Sequence, residues 1–128
     1  MARPQLTVGA VTITARPGGA RELARFYHRL FGWPIAQEGP KGWWAQVRPP
    51  EGENAPTINI ESDREFVPPV WPSQAGEQHA TMHLDIGVTD LDAGVAWAIE
   101  AGATLAAAQP QEHVRVMLDP DGNPFCLF

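Results

Sequence analysis

A single cysteine, Cys126, leaves this chain no partner for an internal disulfide, so nothing in it requires an oxidising compartment. A cytoplasmic location is the expectation that follows. No segment approaches the roughly 20 consecutive apolar residues needed to span a bilayer, so no membrane-spanning helix is expected. The opening MARPQLTVGAVTITA has one Arg and a short apolar run interrupted by threonines, which a first β-strand explains better than a signal peptide does. Positive charge is scarce as well. The net charge of −6 comes with no compensating block of Lys or Arg, which argues against a nucleic-acid partner, whereas a cationic small molecule or a metal ion would be attracted. Also missing are a CxxC pair, a phosphate-cradling glycine loop and a Ser-His-Asp arrangement.

What the chain does have is enough apolar content, 44% of 128 residues, to build one domain around a real core. Residues 6–14 are dominated by alternating β-branched side chains, with Val11 and Ile13 on one face and Thr12 and Thr14 on the other. Arg16-Pro17-Gly18-Gly19 breaks this strand. Leu23, Phe26, Tyr27, Leu30 and Phe31 then form one stripe of an amphipathic helix, which Gly32 is placed to cap. Three short strands are expected at residues 33–38, 43–48 and 57–61, separated by two hairpin-compatible turn clusters.

The stretch 62–79 is rich in Pro, Ser, Gly and Gln and has no period, so it reads as a linker. Its Trp71, beside Pro72, either plugs a core edge or acts as a lid over a ligand. Beyond it the first pattern returns. There is a strand over 81–88, then Asp90 as N-cap, a helical stripe of Leu91, Val95, Ala98 and Ile99 ending at Gly102, and strands at 103–107, 113–118 and 124–128. The order βαβββ therefore occurs twice: module one spans about 5–62, the linker about 63–79 and module two about 80–128. The fold class is α+β, and each half leaves an apolar sheet edge that its twin can cover. In the final hairpin, Asp119-Pro120-Asp121-Gly122 suits a type I turn with Gly122 in the left-handed region. It lacks the alternating oxygen ligands and closing Glu of a calcium loop. The last strand should place Cys126 on the face opposite Phe125 and Leu127.

The doubled βαβββ order, the phrases ARELARFYHRLFGWPI and MHLDIGVTDLDAGVAWAIEAGA, the Trp-Pro of the linker and the ending LDPDGNPFCLF together resemble the vicinal oxygen chelate superfamily. That superfamily contains glyoxalase I, bleomycin-resistance proteins and extradiol dioxygenases. The resemblance is narrower still to bacterial single-domain glyoxalase-like proteins. It implies two tandem modules whose sheets form a cup with the helices outside, and a homodimer. In metal-dependent members the ligands reach the cup from the first and last strands of each module.

Carried over on that resemblance, His83 stands at the second module's first-strand ligand position. Thr12 stands at the corresponding position of the first module and is no metal donor. Asn59 and Glu61 share a face of the fourth strand, with Glu61 the better match, and Cys126 occupies a position where metal enzymes usually have Glu. His83, Glu61 and Cys126 are the candidate metal set, and a thiolate among them would suit zinc better than magnesium, manganese or nickel. Cys126 also reads as a small buried hydrophobe, and His83 as a cup-lining residue hydrogen-bonded to a ligand, Asp85 or Glu61. His79 and His113 are expected at the surface or the rim, and His28 on the solvent side of its helix.

The ligand pocket is expected to draw on Thr12, Trp43 or Trp44, Asn59, Glu61, His83, Arg115, Met117 and Cys126, a largely apolar wall with a few polar handles. Adjacent Trp43 and Trp44 must face opposite sides of their strand. Trp97, off the second helical stripe, hints at a partner surface. Three functions follow as expectations. The first is a small-molecule binding protein of bleomycin-resistance type without a cofactor. The second is a metal-dependent lyase or isomerase using His83 and Glu61, and the third is a non-catalytic interaction module.

Overall fold

A computed structural model describes residues 1–128. Module one runs β1 (Ala10–Ala15), α1 (Ala20–Phe31), β2 (Ile35–Glu38), β3 (Trp44–Val47) and β4 (Thr57–Ser62). Module two runs β5 (Asp85–Ile86), α2 (Leu91–Ala101), β6 (Thr104–Leu105), β7 (Arg115–Leu118) and β8 (Pro124–Leu127). The first sheet has the order β1-β4-β3-β2 and the second β5-β8-β7-β6, so the two are built to one plan. In each, the first strand pairs in parallel with the last and the other pairings are antiparallel. Two βαβββ modules of an α+β fold are what the internal repeat predicted. No helix is long and apolar enough to cross a membrane.

The stripe of α1 is buried as its spacing requires: Leu23, Phe26 and Tyr27 are at most 1% exposed. Gly32 closes the helix in the left-handed conformation, at φ 72°, and its N–H donates to the His28 carbonyl. The N-terminus has no side-chain cap of its own. Ser62 Oγ, at the end of β4, accepts from the Ala20 N–H instead and ties helix to sheet. Asp90 caps α2 by accepting from the Ala93 N–H at 3.0 Å. Both helices share one core with the inner residues of both sheets. Ala45, Val47, Ile58 and Ile60 of the first sheet and Met117, Phe125 and Leu127 of the second all belong to it.

Several elements differ from the sequence expectation. β1 begins at Ala10 rather than Leu6 because its partner β4 begins at Thr57, opposite Ala10. Leu6 and Val8 are left without a partner strand. β5 shrinks to two residues, flanked by bonds from Cys126 N–H to the Leu84 carbonyl and from Val88 N–H to the Phe128 carbonyl. Residues 80–83 form loop: the parallel register sets His83 opposite Pro124, which has no N–H to donate, and the residues before it lie beyond the start of β8. Trp33 lies outside β2 and stacks on Phe31 at 4.6 Å. Ile99 is not on the buried stripe of α2: Ala98 and Ala101 fill it, and Ile99, one position round from Ala98, is half exposed. Trp97 is exposed too, yet its indole N–H donates to the Leu30 carbonyl, so it satisfies the last turn of α1.

The linker has an anchor. Trp71 packs on a second small cluster of Ala106, Val116 and Cys126, and its indole N–H donates to the Ala108 carbonyl. The peptide bond between Trp71 and Pro72 is cis.

The terminal turn does more than reverse the chain. Gly122 N–H donates to the Asp119 carbonyl, closing the expected turn, with Gly122 at φ 91°. Asp119 and Asp121 are then almost wholly buried, at 3% and 7% exposed. Asp119 accepts from Tyr27 Oη at 2.8 Å, Asn123 Nδ2 at 3.0 Å and the backbone N–H groups of Asp121 and Asn123. Asn123 Nδ2 also donates to the Thr14 carbonyl, and Asp121 accepts from the Arg16 backbone N–H and guanidinium. The turn of module two is thereby latched onto the end of β1 and onto α1.

Candidate functional site

β1 and β5 are the outermost strands of their sheets, and a cleft of about 800 Å³ opens between β1 and the loop segment leading into β5. β1 contributes Ala10, Val11, Thr12, Ile13 and Thr14. The loop after β4 contributes Asp63, Glu65, Phe66, Val67 and Pro69, and residues 78–84 form the opposite wall. Tyr27, Asn123 and Phe125 lie at the floor. The cleft thus sits directly on the latch, since Tyr27 and Asn123 belong to both. Burial and then the Asp119 charge hold the Tyr27 phenol well above its usual pKa, so its O–H stays a donor.

Thr12 and His83 are the two expected pocket residues that line this cleft, and His79 lines it as well. Trp44, Asn59 and Glu61 lie on the first sheet's face away from the helices, where Glu61 registers with Thr14 and Trp44, and Asn59 with Thr12. They do not line the cleft. The choice between the adjacent tryptophans is settled by alternation. Trp44 shares its face with Glu61 opposite buried Ala45 and Val47, while Trp43 precedes β3 and lies under the Arg64 guanidinium, 5.3 Å from its ring centroid. Arg115 is held by backbone carbonyls of its own loop, at 2.8 Å from that of Glu112 and 3.0 Å from that of Val114. Met117 is a core residue, not a pocket one: it alternates with Val116 and points among the helices at 0% exposed. His113 is exposed and lines no part of the cleft.

Cys126 faces away from Phe125 and Leu127, as strand alternation requires, and registers with Asp85 across the β5–β8 pairing. His83 Nε2 lies 3.2 Å from Asp85 Oδ1. The donor atoms of His83, Asp85 and Cys126 all fall within 4.8 Å of one another, and Glu61 is not in the group. Asp85 takes the place that sequence reasoning gave to Glu61. The repeat held the signal for this, because the parallel pairing of first and last strands puts Asp85 beside Cys126. Burial, then the Asp85 charge and its hydrogen bond, push the Cys126 thiol above its usual pKa.

These donors are a poor fit to the resident metal of the superfamily's metal-dependent members. All three come from module two, and β1 offers only Ala, Val, Thr and Ile. Asp63, Glu65 and the apolar linker residues of the cleft escaped sequence reasoning. A segment without period gives no sign of which side chains turn inward.

Comparison with known proteins agrees with the architecture. A family model described as "Glyoxalase-like domain" matches residues 11–128. No curated protein sequence matches the chain. A glyoxalase/bleomycin resistance protein/dioxygenase family enzyme from Burkholderia phytofirmans PsJN superposes with a TM-score of 0.64 at 20% identity, covering 95% of this chain and 97% of that one. A possible glyoxalase from Bacillus cereus gives 0.65 at 15% identity, with 97% and 99% covered. TnmS3, an antibiotic binding protein from Streptomyces sp. CB03234, gives 0.57 at 19% identity, with 98% and 97% covered. At these identities the superpositions speak to the fold, and the family model speaks to descent. The doubled βαβββ plan and the family match lead to one conclusion: the chain belongs to the glyoxalase-like domain family of the vicinal oxygen chelate superfamily.

Proposed function

We propose that this protein binds a small organic molecule in the cleft between its modules, in the manner of the bleomycin-resistance branch of its superfamily, and does so without a catalytic metal. The cleft itself carries the reading. About 800 Å³ is bounded by an apolar wall that includes Val11, Ile13, Leu84 and Phe125, with Thr12, His83 and Asn123 as polar handles, which is the usual build of a ligand site. The antibiotic-binding protein among the fold's neighbours supports it by likeness. The weak fit of His83, Asp85 and Cys126 to a resident metal supports the metal-free part.

The test is a thermal-shift screen of antibiotics and amphiphilic metabolites, followed by calorimetry on hits with wild type and Thr12→Trp, whose indole would intrude on the cleft wall. Hits that Thr12→Trp still binds would sink the reading. A second reading is favoured by the proximity of three donors: zinc held by His83, Asp85 and Cys126, serving a lyase or isomerase. Stoichiometric zinc in protein purified without chelator, lost in His83→Ala, would establish that reading instead. If the ligand screen and the zinc assay are both empty, the non-catalytic interaction module is what stands.

Cytoplasmic location and a homodimer belong to the same proposal. Leu6 and Val8, 74% and 73% exposed just before β1, offer a second copy an apolar surface. Light scattering should report a dimer for wild type and a monomer for Leu6→Glu/Val8→Glu, and a monomeric wild type would refute it.

A further inference from the structure

The cleft is walled by backbone whose hydrogen bonds are unmade. Along β1, the Gly9 carbonyl accepts from the Thr57 N–H and the Ala15 carbonyl from that of Asp63, so the odd-numbered residues of this strand bond to β4. The N–H and C=O groups of Ala10, Thr12 and Thr14 point the other way, off the free edge of the sheet and into the cleft that β1 lines. Only the Thr14 carbonyl finds a partner there, Asn123 Nδ2. On the opposite wall the Leu84 and Ile86 carbonyls accept from Cys126 and Phe128, which turns the backbone groups of His83 and Asp85 away from β8. The far edge of the first sheet is blunted in a usual way: β2 carries a register irregularity between Ile35 and Gln37 and lies between Pro34 and Pro40. β1 is six residues of AVTITA with no charge, no proline and no break in register. So regular an edge is a template for one more strand.

Resting on the reading of the cleft as a ligand site, we propose that its ligand is an extended peptide, which joins the first sheet along β1. Pairing can run from Ala10 to Thr14, where Asn123 ends it, so the slot takes about five residues, roughly 17 Å of strand. The peptide's far edge then faces the free backbone groups of His83 and Asp85. Its side chains alternate between an apolar side, made by Val11, Ile13 and Phe125, and the side of Thr12 and His83. Main-chain bonds supply the affinity, and this alternation selects apolar and polar residues in turn.

The probe is the uncharged peptide acetyl-Thr-Val-Thr-Val-Thr-amide, titrated calorimetrically beside two analogues with the same side chains, one N-methylated at both valines and one at all three threonines. The parent should bind. The analogue that has lost the N–H groups facing β1 should bind about tenfold more weakly, whereas recognition of side chains alone would treat all three alike. Thr12→Pro removes one N–H from the free edge and none from the β1–β4 ladder, and should weaken the parent several-fold, with its melting temperature read alongside to show that it folds. If Thr12→Pro does not fold, the analogues decide alone. Equal binding of parent and both analogues overturns the proposal while leaving the cleft a ligand site, and so does a folded Thr12→Pro that binds the parent as wild type does. A parent that shows no binding up to about 1 mM overturns it too, and hits from the small-molecule screen would still uphold the cleft.

Discussion

Removing one oxygen atom from the latch tests whether the two modules are held together where the structure says. Tyr27→Phe deletes the hydroxyl that donates to Asp119 Oδ2 at 2.8 Å and leaves the ring in its edge-on contact with Phe26, at 4.8 Å between centroids. A hydrogen bond to a carboxylate contributes about 1.5–3 kcal/mol. Asp119 Oδ2 keeps its bond from Asn123 Nδ2, so the acceptor is not orphaned and a loss of about 2 kcal/mol is expected. With an unfolding entropy of about 2.1 cal/mol/K per residue, 128 residues give about 0.27 kcal/mol/K, so the melting temperature should fall by about 7 °C. Asp119→Ala goes further. It strands the Tyr27 hydroxyl and the N–H groups of Asp121 and Asn123, for about 4 kcal/mol. Urea unfolding of both single variants and the double should show a coupling of about 1.5 kcal/mol between positions 27 and 119. A coupling below about 0.5 kcal/mol would mean that the Tyr27–Asp119 bond does not join the modules in solution.

Burial pushes the Asp119 carboxyl above its usual pKa even though four donors pull it back. A carboxyl raised in the folded state favours the fold most below its unfolded pKa and loses that advantage as pH climbs through the folded one. The stability gap between wild type and Asp119→Asn should therefore narrow as pH rises from about 4, and a gap that widens in urea titrations would contradict this. Cys126, raised first by burial and then by Asp85, should react with iodoacetamide at pH 8 more slowly in the folded than in the urea-unfolded chain. Asp85→Asn should speed the folded reaction several-fold, and an unchanged rate would remove Asp85 as a cause. Trp71→Ala should cost about 2 kcal/mol, below the range for a fully buried tryptophan because Trp71 is only partly buried. The same change should hasten Cys126 labelling, because Trp71 covers that cluster; a labelling rate equal to wild type would show that it does not.

Periodicity made the frame legible. Leu23, Phe26 and Tyr27 lie buried where a 3.6-residue repeat puts them, Gly32 and Asp90 cap their helices, and the doubled order of elements is the order of both sheets. The site was less so, because its residues come together through pairings the local pattern does not contain. Cys126 meets Asp85, not Glu61, through the β5–β8 register. Both faces of β7 are covered, Val116 by the small cluster under Trp71 and Met117 by the main core, so alternation alone could not say which of the two would line a pocket. Asp63 continues the β1–β4 pairing, its N–H donating to the Ala15 carbonyl, and Glu65 follows it in a segment with no period at all. Asp119 and Asp121 looked like ordinary turn residues, since nothing local distinguishes a solvated turn from one pressed against a distant helix.

The latch also sets an order of events for the growing chain. Its bonds join Thr14, Arg16 and Tyr27 to residues 109, 105 and 92 positions further on. On a ribosome, the first module can pair its strands and wind α1 long before the turn that ties it down has been made, leaving the Tyr27 hydroxyl and the Arg16 guanidinium waiting for partners. Contacts over such spans close late and slowly. The cleft is floored by residues of the same latch, so it comes into existence only with that last closure.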